Sequence, residues 1–259
     1  MNNLYQVTPF RAEQLQKLRN VRMHSPCIIQ VVSGSKRLYW RESAMVLTPS
    51  NLLLCEASVS LSFENLPNKG YFLSRVFSFH YPPSDAAIDL SKHNAANLTS
   101  PVYGTDKALE VTLDVLSTFD LGLFSQDTQM FWLNALYQQL AERGILHLLF
   151  SKTGIPFNQR LSRYLAHSPS DEHTLESSAQ HFAISRSTLI RKLKQENTKY
   201  KEVLIEVRLN HALYLMQNEK QSITMLAQMC GYQSEARFSQ RFKEKFGITP
   251  SEYLTTIKT

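Results

Sequence analysis

Residues 223–247 read ITMLAQMCGYQSEARFSQRFKEKFG, and residues 175–196 read LESSAQHFAISRSTLIRKLKQE. The two stretches share one design. Each places a small residue inside a first helix (Ala227, Ala179) and another four positions on (Gly231, Ala183), followed by an apolar residue (Tyr232, Ile184). A serine (Ser234, Ser185) then opens a second helical pattern with two apolar residues at i and i+4: Phe238 with Phe242, and Leu189 with Leu193. Helices that cross closely need small residues at the contact, and glycine tolerates the positive φ of a tight turn. Serine suits an N-cap because its oxygen accepts a bond from a free first-turn amide. These are the requirements of a helix-turn-helix, and the chain meets them twice, about 48 residues apart.

The stretch between them, YKEVLIEVRLNHALYLMQ (200–217), has neither glycine nor proline and predicts one unbroken helix. At 1.5 Å per residue it spans roughly 27 Å, comparable with the ~34 Å between successive major-groove faces on one side of B-DNA. A rigid connector of that length lets one chain present two reading helices to adjacent grooves. One such pattern occurs in many helical hairpins, so the repetition carries the reading.

Charge agrees with it. The 259 residues carry a net charge of +6, and the whole excess lies beyond residue 150, as expected of a polyanion-binding domain beside a neutral one. From Cys27 to Phe79 short β-branched and aromatic runs (CIIQVV, RLYW, SNLLLCEASVSLSF, YFLSRVFSF) alternate with turn signals, which predicts a sandwich or barrel. After Pro82-Pro83 the pattern turns helical, in KALEVTLDVLSTF and in TQMFWLNALYQQLAERGILHLLF, where Leu133, Leu136, Tyr137 and Leu140 share a face. Gly154 and Pro156 mark the joint, so the expected fold class is α+β: residues 1–150 a β-barrel or sandwich with helices, residues 155–259 an all-α domain.

RLNHALYLM, ITMLAQMCGY and FSQRFKEKFGITPSEY together resemble the signature of the AraC/XylS family of transcription regulators. The resemblance covers roughly residues 157–257 and rests above all on Ala227, Gly231, Phe238, Phe242, Lys243, Phe246, Gly247 and Pro250. The first unit is more faintly similar to the branch of enteric virulence and acid-stress activators. The resemblance implies a cupin-like sensing and dimerisation domain in residues 1–150, a double-stranded promoter as partner, and activation through RNA polymerase.

Helix geometry assigns the roles. With Leu189 and Leu193 inward, Ser187, Ile190, Arg191 and Lys194 face the groove, Arg191 as the guanine-reading fork and Ile190 for apolar contact. In the second unit Glu235, Ser239 and Gln240 project outward, Glu235 toward cytosine and Gln240 toward adenine. Arg186, Lys192, Arg237, Arg241 and Lys243 fall to phosphates, which set register and salt dependence.

The apolar strands could enclose a pocket for an acidic, fatty-acid-like effector anchored by Lys36, Arg37 and Arg75, or a filled core with solvent-facing basic residues. The helix at 127–149 could serve a homodimer or cover its own sheet. Cys27, Cys55 and Cys230 are scattered and the eight histidines form no ligand spacing, so no metal, no cofactor and no catalytic residue is expected. A cupin-type enzyme and an adaptor for an acidic partner are the competing readings. With no signal peptide and no membrane-length apolar run, a cytoplasmic protein is expected.

Overall fold

The computed structural model describes residues 3–40, 43–95, 100–150 and 156–257. The chain opens with β1 (Tyr5–Ala12), β2 (Gln16–Arg22), β3 (Cys27–Ser33), β4 (Ser35–Trp40), β5 (Ser43–Leu47), β6 (Asn51–Cys55), β7 (Ser60–Leu66) and β8 (Phe72–Phe79). Helix α1 (Asp85–His93), β9 (Val102–Gly104), α2 (Lys107–Thr118), α3 (Gln126–Glu142) and α4 (Leu146–Leu149) complete the first half. The second half is α5 (Phe157–Ala166), α6 (Leu175–His181), α7 (Arg186–Gln195), α8 (Tyr200–Asn218), α9 (Ile223–Met229), α10 (Glu235–Phe246) and α11 (Pro250–Thr256).

The strands form two antiparallel sheets, in the orders β1-β8-β3-β6-β9 and β2-β7-β4-β5. Alternation along each strand decides what they enclose: on β4, Lys36 and Leu38 are buried while Arg37 and Tyr39 are exposed. The expected β half is present and is larger than its apolar runs suggest. Strand β2, QKLRNVR, is polar, and its inward set Gln16, Leu18 and Val21 slips by one position where Asn20 adopts φ +54 at a register shift. A bulge of this kind erases the period-2 signal.

Two helical expectations change. The apolar pattern at 127–149 is not one helix: α3 ends at Glu142, and Gly144 takes φ +68 where a Cβ would stand 2.3 Å from the Asn94 carbonyl oxygen. The stripe Leu133, Leu136, Tyr137 and Leu140 is fully buried with Ile28, Leu52 and Phe77 of the sheet, so it covers its own domain and is not a free dimer face. The joint expected at Ser151–Ile155 lies outside the described residues.

The cores do not follow the expected division into halves. Leu38, Leu61, Phe63 and Phe72 of the β half join Leu209, Leu213, Leu226, Phe238, Phe242 and Tyr253 in one continuous apolar cluster. The first helix-turn-helix keeps a separate core of Phe157, Leu161, Leu165, Ala179, Leu189, Leu193, Val203 and Val207. Helix α8 belongs to both, its first turns to one core and its last turns to the other.

Candidate nucleic-acid interface

Both helix-turn-helix units close as their residue types require. Ser185 Oγ accepts from the Thr188 N–H (3.1 Å) and Ser234 Oγ from the Arg237 N–H (3.4 Å), capping α7 and α10. The turns place Ala183 at φ +51 and Gly231 at φ +73, the same left-handed position in each unit. Gly231 is needed for a second reason, since a Cβ there would meet the Arg208 guanidinium at 2.7 Å. Arg208, on the middle of α8, donates to the carbonyls of Pro169 and Asp171 (both 3.0 Å). One guanidinium therefore touches the α5–α6 loop of the first unit and the turn of the second.

The apolar positions of both second helices are inside: Leu189, Leu193, Phe238, Phe242 and Phe246 are buried. Ser187, Ile190, Arg191 and Lys194 lie exposed on α7, and Ile190 keeps 51% of its surface in water. On α10, Glu235 and Gln240 are exposed and Ser239 is partly so. The structure thus brings every base-reading candidate to the outer face of its helix. Some are engaged locally. Thr224 donates to the Glu235 carboxylate, Gln240 Nε2 donates to Glu244 (2.9 Å), and the Ser187 and Ser185 hydroxyls lie 3.0 Å apart.

Among the phosphate candidates, Arg186 pairs with Glu176 (2.7 Å) and Arg241 with Glu244 (3.0 Å). Lys192 leans over the Phe157 ring, 5.8 Å from its centroid, and is only partly exposed. Arg237 and Lys243, together with the base candidates Arg191 and Lys194, are exposed and form no side-chain hydrogen bond or ion pair among the described residues.

The second unit is docked on the β half. Glu206 of α8 holds Arg22 of β2 (3.2 Å) on one side and Lys245 of α10 on the other. Asn210 donates to the Arg22 carbonyl (2.8 Å) and to His24 Nε2 (2.7 Å). Burial drives the His24 pKa down to about 4, so the ring is neutral and accepts that bond. Gln217 at the end of α8 both accepts from the Arg11 N–H (2.8 Å) and donates to the Arg11 carbonyl (3.1 Å).

Between the sheets and α8 lies a small cleft of about 40 Å³, partly open to solvent, lined by Phe10, Phe63, Val76 and Leu213 around Lys36. Lys36 is 3% exposed, its ammonium 3.6 Å above the Phe63 ring and bonded to Asn65 Oδ1. Desolvation brings its pKa down to about 7. The other two expected anchors are elsewhere, and this corrects the sequence reading. Arg37 points outward to Glu64 (2.8 Å) and Arg75 to Asp114 (2.6 Å), because each follows or precedes an inward residue on its strand. Sequence reasoning missed Asn65 and Gln16, which hold the lysine's surroundings. The inward alternation of Lys36 with Leu38 was the available signal for the lysine itself.

Cys27 and Cys55 face each other on β3 and β6 as buried free thiols. Among the described residues no group of His, Cys, Asp and Glu could hold a metal, and no helix is long and apolar enough to cross a membrane.

A family model described as a helix-turn-helix domain matches residues 178–256. The porin thermoregulatory protein EnvY of Escherichia coli K12 is 40% identical over 76 residues, 29% of this chain and 30% of its own length. The activators FapR and AggR of Escherichia coli are 21% and 22% identical over 93% and 95% of this chain, and the matches span 97% of each. The crystal structure of ToxT from Vibrio cholerae superposes over 100% of both chains with a TM-score of 0.64 at 15% identity, so the two-part architecture is shared. With its paired capped units and the glycine-dependent second turn, the chain carries a helix-turn-helix domain over residues 178–256, and along most of its length it is similar to these AraC-type transcription activators.

Proposed function

We propose that this protein is a cytoplasmic, ligand-responsive transcription activator that reads two adjacent major grooves of a promoter with α7 and α10 and acts through RNA polymerase. The observation that carries this reading is that Arg191, Lys194, Arg237 and Lys243 are exposed, and unpaired among the described residues, on two capped helices joined by α8. At 1.5 Å per residue the 19 residues of α8 span about 28 Å. In this reading Ser187, Ile190, Arg191, Lys194, Glu235, Ser239 and Gln240 contact bases, and Arg186, Lys192, Arg237, Arg241 and Lys243 contact phosphates. No residue is assigned a catalytic role.

The test is a salt titration of binding to a duplex selected from genomic fragments and to a random duplex. Preference for the selected duplex by at least about 10³-fold at physiological salt is expected. Equal affinity for both would leave a basic adaptor, not a sequence-specific regulator.

The effector we assign is an amphiphilic carboxylate. ToxT has been solved with an unsaturated fatty acid bound, and the cleft here offers one buried cation at the end of an apolar wall. Lys36 takes the carboxylate, and Phe10, Phe63, Val76 and Leu213 take the chain. Palmitoleate binding that is lost in Lys36→Met and kept in Arg37→Ala and Arg75→Ala is the expected pattern. The homodimer we assign to 127–149 uses the outer face of α3, where Phe131 is 77% exposed. Phe131→Ser then shifts the sedimentation profile to monomer.

A further inference from the structure

A line of buried hydrogen bonds leads out of the cleft. Lys36 Nζ donates to Asn65 Oδ1; Asn65 Nδ2 donates to Gln16 Oε1 (2.7 Å); Gln16 Nε2 donates to Thr256 Oγ1 (2.6 Å); Thr256 Oγ1 donates to the Tyr253 carbonyl (2.7 Å). All four side chains are buried. The line starts on β4, crosses β7 and β2, and ends in α11, the last helix of the second helix-turn-helix unit.

Its polarity is uniform, and the lysine dictates it. An ammonium can only donate, so Asn65 must present its oxygen and leave its amide N–H₂ to donate. That obliges Gln16 to accept with its oxygen and donate with its nitrogen, and obliges Thr256 to accept from it and donate onward. Reversing any member would set two donors or two acceptors against each other in a site without solvent, at the cost of an unsatisfied buried group. A neutral lysine amine can also accept, so it no longer specifies the orientation of Asn65.

The far end is a place where docking is decided. The Thr256 carbonyl accepts from the Glu13 N–H (2.7 Å), and Gln217 donates to the Tyr253 hydroxyl (2.7 Å). The Tyr253 ring packs 6.1 Å from that of Phe242, on the reading helix α10. Thr256 is thus held by the β1–β2 turn through its backbone and by Gln16 through its side chain.

We propose that Lys36, Asn65, Gln16 and Thr256 form a relay through which an anion bound at Lys36 tightens the docking of α11, and with it α10, onto the β half. The anion keeps the lysine a pure donor, and the remaining ammonium hydrogens still reach Asn65. The ligand part of this proposal rests on the assignment of the cleft as a carboxylate site, whereas the relay itself rests on the hydrogen bonds alone. It follows that changes at the two ends of the line are coupled although no contact joins them.

Hydrogen exchange of the full chain over residues 250–257 tests this. Lys36→Met and Thr256→Val are each expected to speed exchange there by about tenfold, the double variant no further, because either change alone interrupts the line. Residues 157–195, whose core is separate, serve as the control and should not change. If Lys36→Met disturbs the control segment, Lys36→Gln takes its place. Multiplicative effects, about 100-fold in the double variant, overturn the relay. In a second arm, palmitoleate slows exchange of 250–257 in the wild type, and Thr256→Val still binds it, more weakly by no more than the factor of the lost slowing, but shows no slowing. Slowing that persists in Thr256→Val also overturns the relay. If palmitoleate does not bind the wild type while the double-variant result holds, the relay is supported and the carboxylate assignment falls.

Discussion

Arg191 and Arg241 carry the same charge but differ in what surrounds them. Arg191 is exposed on the outer face of α7 and has no hydrogen-bond or ion-pair partner among the described residues, so in the proposed reading its fork is available to two acceptors on one base. Arg241 is tied to Glu244 at the flank of α10. Arg191→Ala should therefore relax preference at one base pair by about 1–3 kcal/mol, whereas Arg241→Ala weakens binding to every sequence and lowers the salt slope by about 1. A panel of single-base variants measured at several salt concentrations separates the two. The turn residues give a stability contrast. Ala183 occupies a left-handed conformation that costs an L-residue about 1–2 kcal/mol, so Ala183→Gly should be neutral or stabilising in urea melts. Gly231→Ala carries the same backbone cost and also drives a methyl into Arg208, so it should destabilise the second unit by more than that amount. Equal effects at the two positions would refute the role given to Arg208.

At the scale of elements, the segments hold their positions through caps and interlocking polar contacts. Ser185→Ala removes the acceptor that satisfies Thr188 N–H and should cost about 1 kcal/mol, seen as fraying of α7 by amide exchange and as weaker DNA binding. The contact of β2 with α8 makes a pH-dependent joint. His24 is neutral in the folded chain, with its pKa lowered to about 4 by burial, against which Glu206 acts to raise it and Arg22 and Lys245 to lower it. A base whose folded pKa is depressed binds fewer protons in the folded state than in the unfolded one. Its contribution is present above the ordinary histidine pKa of about 6.5 and is lost as pH falls from there toward 4. His24→Gln keeps an acceptor for Asn210 and removes the titration, so denaturant midpoints of this variant should fall less steeply over that window than those of the wild type. Parallel curves would remove His24 from the acid response.

At the scale of the molecule, the cores predict unequal cooperativity. Leu209, Leu213, Phe238 and Phe242 share an apolar cluster with the sheets, while Leu161, Leu189 and Leu193 pack only among α5, α6, α7 and the start of α8. Native-state exchange should show α5–α7 opening at lower free energy than α9–α11, with the latter following the β half. An α9–α11 segment that opens independently of the sheets would contradict the shared core. The second reading unit is therefore anchored, and the first is held to it through α8 and Arg208. The local chemistry of this arrangement was legible from residues alone: Ser185, Ser234, Gly231 and the inward pairs at i, i+4 each state a requirement that is met within ten residues. Strand β2 and the cleft were not legible, because Gln16, Asn65 and Thr256 acquire their roles only by being brought together from positions far apart in the chain.

Sequence by itself determined the two helix-turn-helix units, their caps, the unbroken connector and the basic outer faces, since helical period, glycine conformation and charge are properties of neighbouring residues. Only the tertiary structure decided that α3 spends its apolar stripe on its own sheet, that Arg37 and Arg75 turn away while Lys36 turns in, and that the second unit shares a core with the strands. Those outcomes depend on which surfaces meet when distant segments exclude water together, and no local pattern encodes the partner.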